Sequence, residues 1–190
     1  MSTSTQTVEQ GTATWQIDPA HSHVEFAVKH LMISTVKGRF GDVEGSVTVE
    51  SDDAETARID VTIAAESIDT GVGKRDDHLR SADFLHAERY PSLRFESTEV
   101  ERNGDGELRV KGDLTIRDVT REVVLEVEEL GSAKDPWGGE RAAFQATTSI
   151  DRKDFGLTWN QALETGGVLV GDKVRISIDA QLVLQEEGQD

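Results

Sequence analysis

The segment VEFAVKH (Val24–His30) decides the fold class. Apolar Val24, Phe26 and Val28 alternate with charged or small residues, and His30 falls in phase with the apolar set. Because side chains two residues apart share a face of a β-strand, the segment predicts a strand with one apolar face. His30 is then either a functional group or the polar end of a buried wall. What the remaining strands enclose decides between these interpretations.

The same period of two governs most of the chain. It is clearest in ARIDVTIAA (Ala57–Ala65), and turn sequences such as RNGDG and KDPWGGE separate further segments of this kind. Those segments are EGSVTVE, LRFESTEV, ELRVKGDLTI, REVVLEVEEL, RAAFQATTSI and DKVRISIDAQLVL. About eight antiparallel strands favour a closed up-and-down barrel over a sandwich, because closure removes exposed strand edges. Phe40 and Val43 are out of phase across Gly41, which predicts a bulge or bend there.

One stretch breaks the β pattern, DTGVGKRDDHLRSADFLHAERYP (residues 69–91). It predicts a single inserted α-helix within Gly73–Glu88, followed by the helix-breaking Pro91. An apolar stripe is expected to face the barrel and a charged face to point outward. The stripe comprises Leu79, Ala82 and Leu85, and the charged face comprises Asp76, Asp77, Arg80 and Asp83.

Composition limits the classes of function. The 190 residues suit one domain, and we expect a disordered leader over residues 1–13 and the barrel over residues 14–186. The formal charge of −17 disfavours nucleic acid as a partner, and it is compatible with either a salt-adapted or an ordinary acidic protein. The chain has no cysteine and no apolar run of the roughly 18 residues that span a bilayer, so stable membrane insertion is not expected. The N-terminal sequence lacks secretory signal features, so we expect a cytoplasmic protein; a homodimer is left open.

The histidines are the first candidates for chemistry. His21 and His23 lie two positions apart and could hold a metal, although a third ligand is not evident and a structural role after Pro19 is favoured. His78 and His86 could pair with acidic residues of the helical segment, but no nucleophile signature accompanies them. We therefore expect neither a metal site nor catalytic residues.

The apolar wall is the remaining candidate. An eight-stranded barrel is just wide enough either to fill itself with side chains or to hold one slender ligand, and patterning alone leaves both open. The candidate pore-lining residues are Val24, Phe26, Val28, His30, Phe40, Ile59, Val61, Ile63, Leu79, Phe84, Leu85, Phe95, Leu114, Ile116, Phe144, Trp159 and Ile176.

Four separated strings carry a resemblance to a known family. They are WQIDPAHSHVEFAVKHL (15–31), KRDDHLRSADFLHAERYPSLRF (74–95), GDLTIRDVTREVVLEVE (112–128) and DRKDFGLTWNQALETGGVLVGDKVRISIDAQL (151–182). In this order they resemble the YceI-like family over nearly everything after the leader. The acidic balance and the leader are not part of that family's pattern.

The resemblance implies a lipocalin-like, extended antiparallel barrel whose pore binds a polyisoprenoid chain, in some members one with a quinone-like head. It implies no catalytic activity and no cofactor beyond such a ligand. The leading hypothesis is thus a non-enzymatic carrier of a long isoprenoid lipid or isoprenoid quinone. The alternatives are a hydrolase or isomerase acting on a lipid-like substrate in the same pore, and a stress-response or interaction module with a filled barrel. His30 either orients the ligand head group or is a satisfied core histidine.

Overall fold

The computed structural model describes residues 11–185 as a β-barrel with one α-helix. Most of the expected leader, residues 1–10, and residues 186–190 lie outside the described residues. The first strand begins at Thr12, two residues before the expected domain boundary. The elements are β1 (Thr12–Ile17), β2 (His23–His30), β3 (Ser34–Phe40), β4 (Val43–Glu50), β5 (Arg58–Ala64), β6 (Ile68–Asp69), α1 (Gly73–Arg80), β7 (Ser92–Gly104), β8 (Glu107–Ile116), β9 (Val119–Lys134), β10 (Glu140–Asp151) and β11 (Val170–Leu184).

The eleven strands form the eight staves of the barrel, where a stave is either one long strand or two short strands placed end to end. Six of the strands are short and continue one another in pairs. β1 and β2 lie end to end along one edge of β11. On their other side β4 pairs with β1 and β3 pairs with β2, and beyond these β5 pairs with β4 and β6 pairs with β3. The remaining neighbours are β5–β7–β8–β9–β10–β11, all antiparallel. Pairing of Trp15 with Leu184 joins the first stave to the last. The structure thereby confirms a closed eight-stranded antiparallel barrel.

The stave breaks explain how the barrel turns its corners. Gly41 and Asp42 separate β3 from β4, where the change of phase between Phe40 and Val43 predicted a bend. Both of those side chains are buried on the inside. The bend therefore keeps apolar residues inward on each side of it.

The helix is shorter than the segment in which it was expected. It ends at Arg80, and Ser81 takes an extended conformation while its backbone N–H and hydroxyl both donate to the carbonyl of His78. The expected stripe and charged face are therefore wrong at two positions. Ala82 lies beyond the helix and is exposed. Asp76 is buried, and its burial is tolerated because its carboxylate accepts hydrogen bonds from the backbone and hydroxyl of Thr70.

A glycine contact fixes one part of the wall. A side chain on Gly112 would meet the ring of Phe95, and it would lie 2.5 Å from the carbonyl oxygen of Glu96. We expect Gly112→Ala to lower the free energy of unfolding by roughly 1 to 3 kcal/mol, because backbone cannot move aside easily. Gly73→Ala is the matched control, since a side chain there meets open space at the start of a helix. Urea unfolding measures both; an equal response of the two variants would contradict the expected strain.

The link between β1 and β2 is organised by Asp18. Its carboxylate lies 2.6 Å from a guanidinium nitrogen of Arg141 on β10 and 2.9 Å from Nδ1 of His21, and it accepts a hydrogen bond from the backbone of Ala20. Arg141 also binds Asp135 in the β9–β10 turn. The hydrogen bond from Arg141 is the largest cause that lowers the pKa of Asp18 from 3.8 to about 2.

This lowered pKa predicts a pH-dependent contribution to stability. A carboxyl whose folded-state pKa lies below its unfolded value stabilises the fold above about pH 4, and that contribution is lost as the pH falls towards 2. We expect Asp18→Asn to cost about 1 kcal/mol at pH 6, given solvent screening, and almost nothing at pH 2. Urea unfolding at the two pH values checks this. A difference that persists at pH 2 would show that the charge is not the cause.

Candidate functional site

The barrel encloses an apolar cavity of about 500 Å³. All eight staves contribute to its lining, together with α1 and the segment between β10 and β11. This volume falls within the range of pockets that hold small molecules. The interior is therefore a cavity, which removes the filled barrel as an interpretation of the fold.

Every residue that was a pore-lining candidate from the sequence lies on the wall of this cavity. The strand residues among them point inward, because they share the phase set by Val24, Phe26 and Val28. Leu79, Phe84 and Leu85 reach it from α1 and the turns that follow, and Trp159 from the segment before β11. That these side chains contact a ligand stays a prediction.

The cavity follows the length of the barrel. Along β11 its lining runs from Val170 to Leu182, twelve positions apart. At about 3.3 Å per residue and a strand tilt near 40°, this separation corresponds to roughly 30 Å along the barrel axis. A long, narrow apolar molecule fits such a shape better than a compact one.

An aromatic cluster stands at the α1 end of the cavity. The ring centroid of His78 lies 5.1 Å from that of Phe84 and 4.6 Å from that of Trp159, both edge-on, and the Phe84 and Trp159 centroids are 5.3 Å apart. Nε2 of His78 is held 2.8 Å from Asp83. The cluster joins α1 to the segment before β11 and gives this end of the wall flat, rigid surfaces.

Polar groups in the lining are few and unevenly distributed. His30, Arg75, His78 and Arg152 lie at the α1 end, all of them basic side chains. At the opposite end the lining includes the carboxylate of Glu129, which is 3.5 Å from Arg102. Asp179 and His23, which pair across β11 and β2, also contribute to the lining between the ends. The basic groups of the lining are therefore concentrated at the α1 end, and its acidic groups lie away from that end.

Arg152 is the most deeply buried of these polar groups, at 3% exposure. Its guanidinium donates to the carbonyls of Leu157 at 2.6 Å, Trp159 and Gly171 at 2.9 Å each, and Val170 at 3.4 Å. Burial lowers the pKa of this guanidinium, and the nearby carboxylates of Asp172 and Asp151 oppose that effect. Arg152 holds the segment before β11 against the barrel and so shapes the wall.

Sequence reasoning missed several wall residues. Val36 could have been found, since it shares the phase of Phe40 on β3. Leu157 and Leu169 lie in an irregular segment with no periodicity, so no pattern marks them. Arg75 and Arg152 stand among other charged residues in the sequence, and only the folded structure distinguishes them from surface residues.

The structure gives His21 and His86 ordinary roles, and His23 contributes to the cavity lining. His21 is exposed and bound to Asp18, and His86 packs edge-on against the ring of Tyr90. Within residues 11–185, no group of three His, Cys, Asp or Glu side chains is arranged to hold a metal ion. In the same range, no helix is both long enough and apolar enough to cross a membrane.

His78, on the cavity wall, forms an acid/base pair with the exposed Asp83, as a catalytic site could use. A nucleophile within hydrogen-bond reach of the imidazole is also needed for covalent catalysis. Among the described residues no hydroxyl hydrogen-bonds to this ring, and the Oγ of Ser81 donates to the backbone carbonyl of His78 instead. The pair is therefore better explained as a contact by which Asp83 holds His78 in place within the aromatic cluster.

Known proteins resemble this chain in sequence and fold. The model of the YceI-like domain matches residues 15–182. A UPF0312 protein of Serratia proteamaculans is 44% identical over 138 residues, covering 73% of this chain and 71% of the relative, and one of Vibrio cholerae is 41% identical, covering 73% of each.

Solved structures agree with this. A Campylobacter jejuni YceI protein superposes with a TM-score of 0.71 at 33% identity, covering 83% of this chain and 90% of the other. A polyisoprenoid binding domain from Saccharophagus degradans has the same fold at a TM-score of 0.64 and 14% identity, covering 90% and 98%. The resemblance expected from the sequence is confirmed, and the chain belongs to the YceI-like domain family.

Proposed function

We propose that this protein is a non-enzymatic carrier of a long isoprenoid lipid or isoprenoid quinone, held inside the barrel. The observation that carries the proposal is the apolar cavity of about 500 Å³ that follows the barrel axis. The fold shared with the polyisoprenoid binding domain of S. degradans supports the class of ligand. A five-carbon isoprene unit buried in such a wall contributes a few kcal/mol, at about 0.8 kcal/mol per carbon before ordering costs.

The charge difference between the cavity ends supports one orientation of the ligand. A quinone carbonyl or a phosphate accepts hydrogen bonds, so its place is the α1 end, beside His30, Arg75 and His78. Among the described residues, none hydrogen-bonds to the imidazole of His30, although its backbone carbonyl accepts from Ser34. His30 thus suits a head-group contact better than the role of a satisfied core histidine.

The alternative of a hydrolase or isomerase rests on the pair of His78 and Asp83. It lacks a partner nucleophile in the described structure, and the imidazole of His78 is engaged in the aromatic cluster. The carrier therefore remains the function that the geometry supports best.

Organic extraction of the purified protein followed by mass spectrometry tests the proposal. The expected result is a long isoprenoid molecule recovered at close to one per chain. The tryptophan emission, to which Trp159 on the wall contributes together with Trp15 and Trp137, provides a second readout as an isoprenoid quinone is added back to the extracted protein. An empty extract together with unchanged tryptophan emission would overturn the proposal.

A further inference from the structure

The β2–β3 turn carries exposed apolar side chains at the end of the barrel where α1 lies. Met32 and Ile33 are 57% and 81% exposed, and Leu31 before them is also exposed. The backbone around them forms the end of the cavity wall, since Val28, His30 and Val36 line it. An apolar surface that continues from a pore wall to solvent is a site where an apolar molecule can enter or leave.

The backbone of this turn adopts a strained conformation that its large apolar residues do not favour. Leu31 and Met32 have φ values of 52° and 62°, in the left-handed region where glycine and asparagine are favoured. Large apolar residues here cost stability twice, through the backbone and through exposure to water. Leu31 is nevertheless held in place, because its N–H donates to the carbonyl of Leu169 at 2.8 Å. Strain at a fixed, exposed position points to a function outside the fold.

The β2–β3 hairpin itself differs in charge from the rest of the chain, although the neighbouring Leu163–Gly167 turn that approaches Met32 carries Glu164. The whole chain has 37 acidic and 20 basic residues, yet residues 26–41 contain no Asp or Glu. They include Lys29, Lys37 and Arg39 on the outward face of the hairpin. Lys29 and Lys37 are exposed beside the apolar tip. Apolar side chains next to free basic groups suit the boundary between phosphate headgroups and acyl chains.

We propose that the β2–β3 tip, formed by Leu31, Met32 and Ile33, docks the barrel transiently on a phospholipid bilayer surface. The tip inserts its apolar side chains while Lys29 and Lys37 contact headgroup phosphates. A second copy of the chain is a poorer occupant, because three side chains on a convex turn provide far less than the roughly 800 Å² per partner of a stable interface. The purpose of docking, to exchange an isoprenoid lipid with the membrane, rests on the proposed function. Docking itself does not depend on a bound lipid.

Flotation with vesicles tests this inference. The unmodified protein is expected to float with mixed phosphatidylcholine–phosphatidylglycerol vesicles, and less strongly as salt is raised. The double variant Met32→Asn/Ile33→Asn is expected to lose binding by at least about tenfold, since each buried side chain contributes about that much. Asparagine tolerates the left-handed backbone of Met32, and Ile33 is 81% exposed, so the same variant is expected to keep or raise its thermal stability. A tip that serves packing alone would instead lose stability.

Trp137→Asn is the matched control. Trp137 is 88% exposed in the β9–β10 turn, at the opposite end of the barrel from the β2–β3 turn. Its replacement is expected to leave vesicle binding unchanged, whereas Lys37→Glu is expected to weaken it. Failure of the unmodified protein to float, or equal losses in the tip variant and the Trp137 variant, would overturn the proposal. Sedimentation velocity that shows a dimer dispersed by the tip variant, with vesicle binding intact, would also overturn it.

The two proposals fail separately. A protein that floats through its tip but yields no isoprenoid on extraction retains the docking surface and loses the carrier function. A protein that carries an isoprenoid but does not bind vesicles retains the carrier function and loses the docking surface.

Discussion

Replacement of Phe26 by aspartate is expected to lower the free energy of unfolding by about 3 kcal/mol or more and to abolish ligand retention. The Phe26 ring lies on the cavity wall, across Gly38 of the neighbouring strand and 5.8 Å from the ring of Phe40. A carboxylate at this point replaces the ring with a charge in a wall that is formed mainly by apolar side chains. Urea unfolding and extraction of bound lipid measure the two effects.

Ala27→Asp is the control for this change. Ala27 is the next residue of β2 and points to the other face, where it pairs with Lys37 on one side and Arg175 on the other. An aspartate there lies between two basic residues, so stability and ligand content are expected to change little. Full stability of Phe26→Asp would show that the cavity holds water, and the proposed apolar ligand would lose its main support.

Replacement of Arg152 by methionine is expected to cost roughly 3 to 5 kcal/mol of unfolding free energy, because buried carbonyls lose their donors. Four carbonyls accept from its guanidinium, those of Leu157, Trp159, Val170 and Gly171. The segment that carries Trp159 is then expected to leave the cavity wall, which a red shift of tryptophan emission and faster loss of bound lipid would report.

Lys153→Met separates this effect from a loss of surface charge. Lys153 is the adjacent residue, is exposed, and makes an ion pair with Asp172 at 2.9 Å. Its replacement is expected to change stability by less than about 1 kcal/mol. Arg152→Lys keeps the charge, but a lysine cannot donate from a planar group to several carbonyls at once. Its free energy of unfolding is therefore expected to lie nearer to that of Arg152→Met than to that of the unmodified protein. Similar stabilities for Arg152→Met and Lys153→Met would contradict the assigned role.

Period-two patterning was sufficient to predict the barrel, because one buried face forces alternation along every strand. Phe26 and Ile176 were assigned to the interior for this reason, and both lie on the cavity wall. Closure followed from counting strands that would otherwise have exposed edges. Patterning could not decide whether the interior was filled, because a side chain that faces a cavity and one that faces another side chain have the same sequence signature.

The helical segment shows where local rules stop. The 3.6-residue period placed Ala82 on the buried stripe. The helix nevertheless ends at Arg80, because the hydroxyl of Ser81 competes for the carbonyl of His78. Asp76 looked like a surface residue until its contact with Thr70 was known. The role of Arg152 could not be predicted either. Its partners are backbone carbonyls, and the sequence pattern does not indicate which carbonyls lie within its reach.

The pairing of Trp15 with Leu184 has a consequence for how the protein is made. The first and last described strands are neighbours, so the barrel cannot close until the 15 residues of β11 have been synthesised. Contacts between such distant parts of a chain form slowly, because a long loop must close before they provide any stability. Until then the nascent chain presents its apolar inner face to the cell, where it is open to aggregation and to chaperones. The same surface that suits a lipid in the finished barrel is thus the main hazard of its biosynthesis.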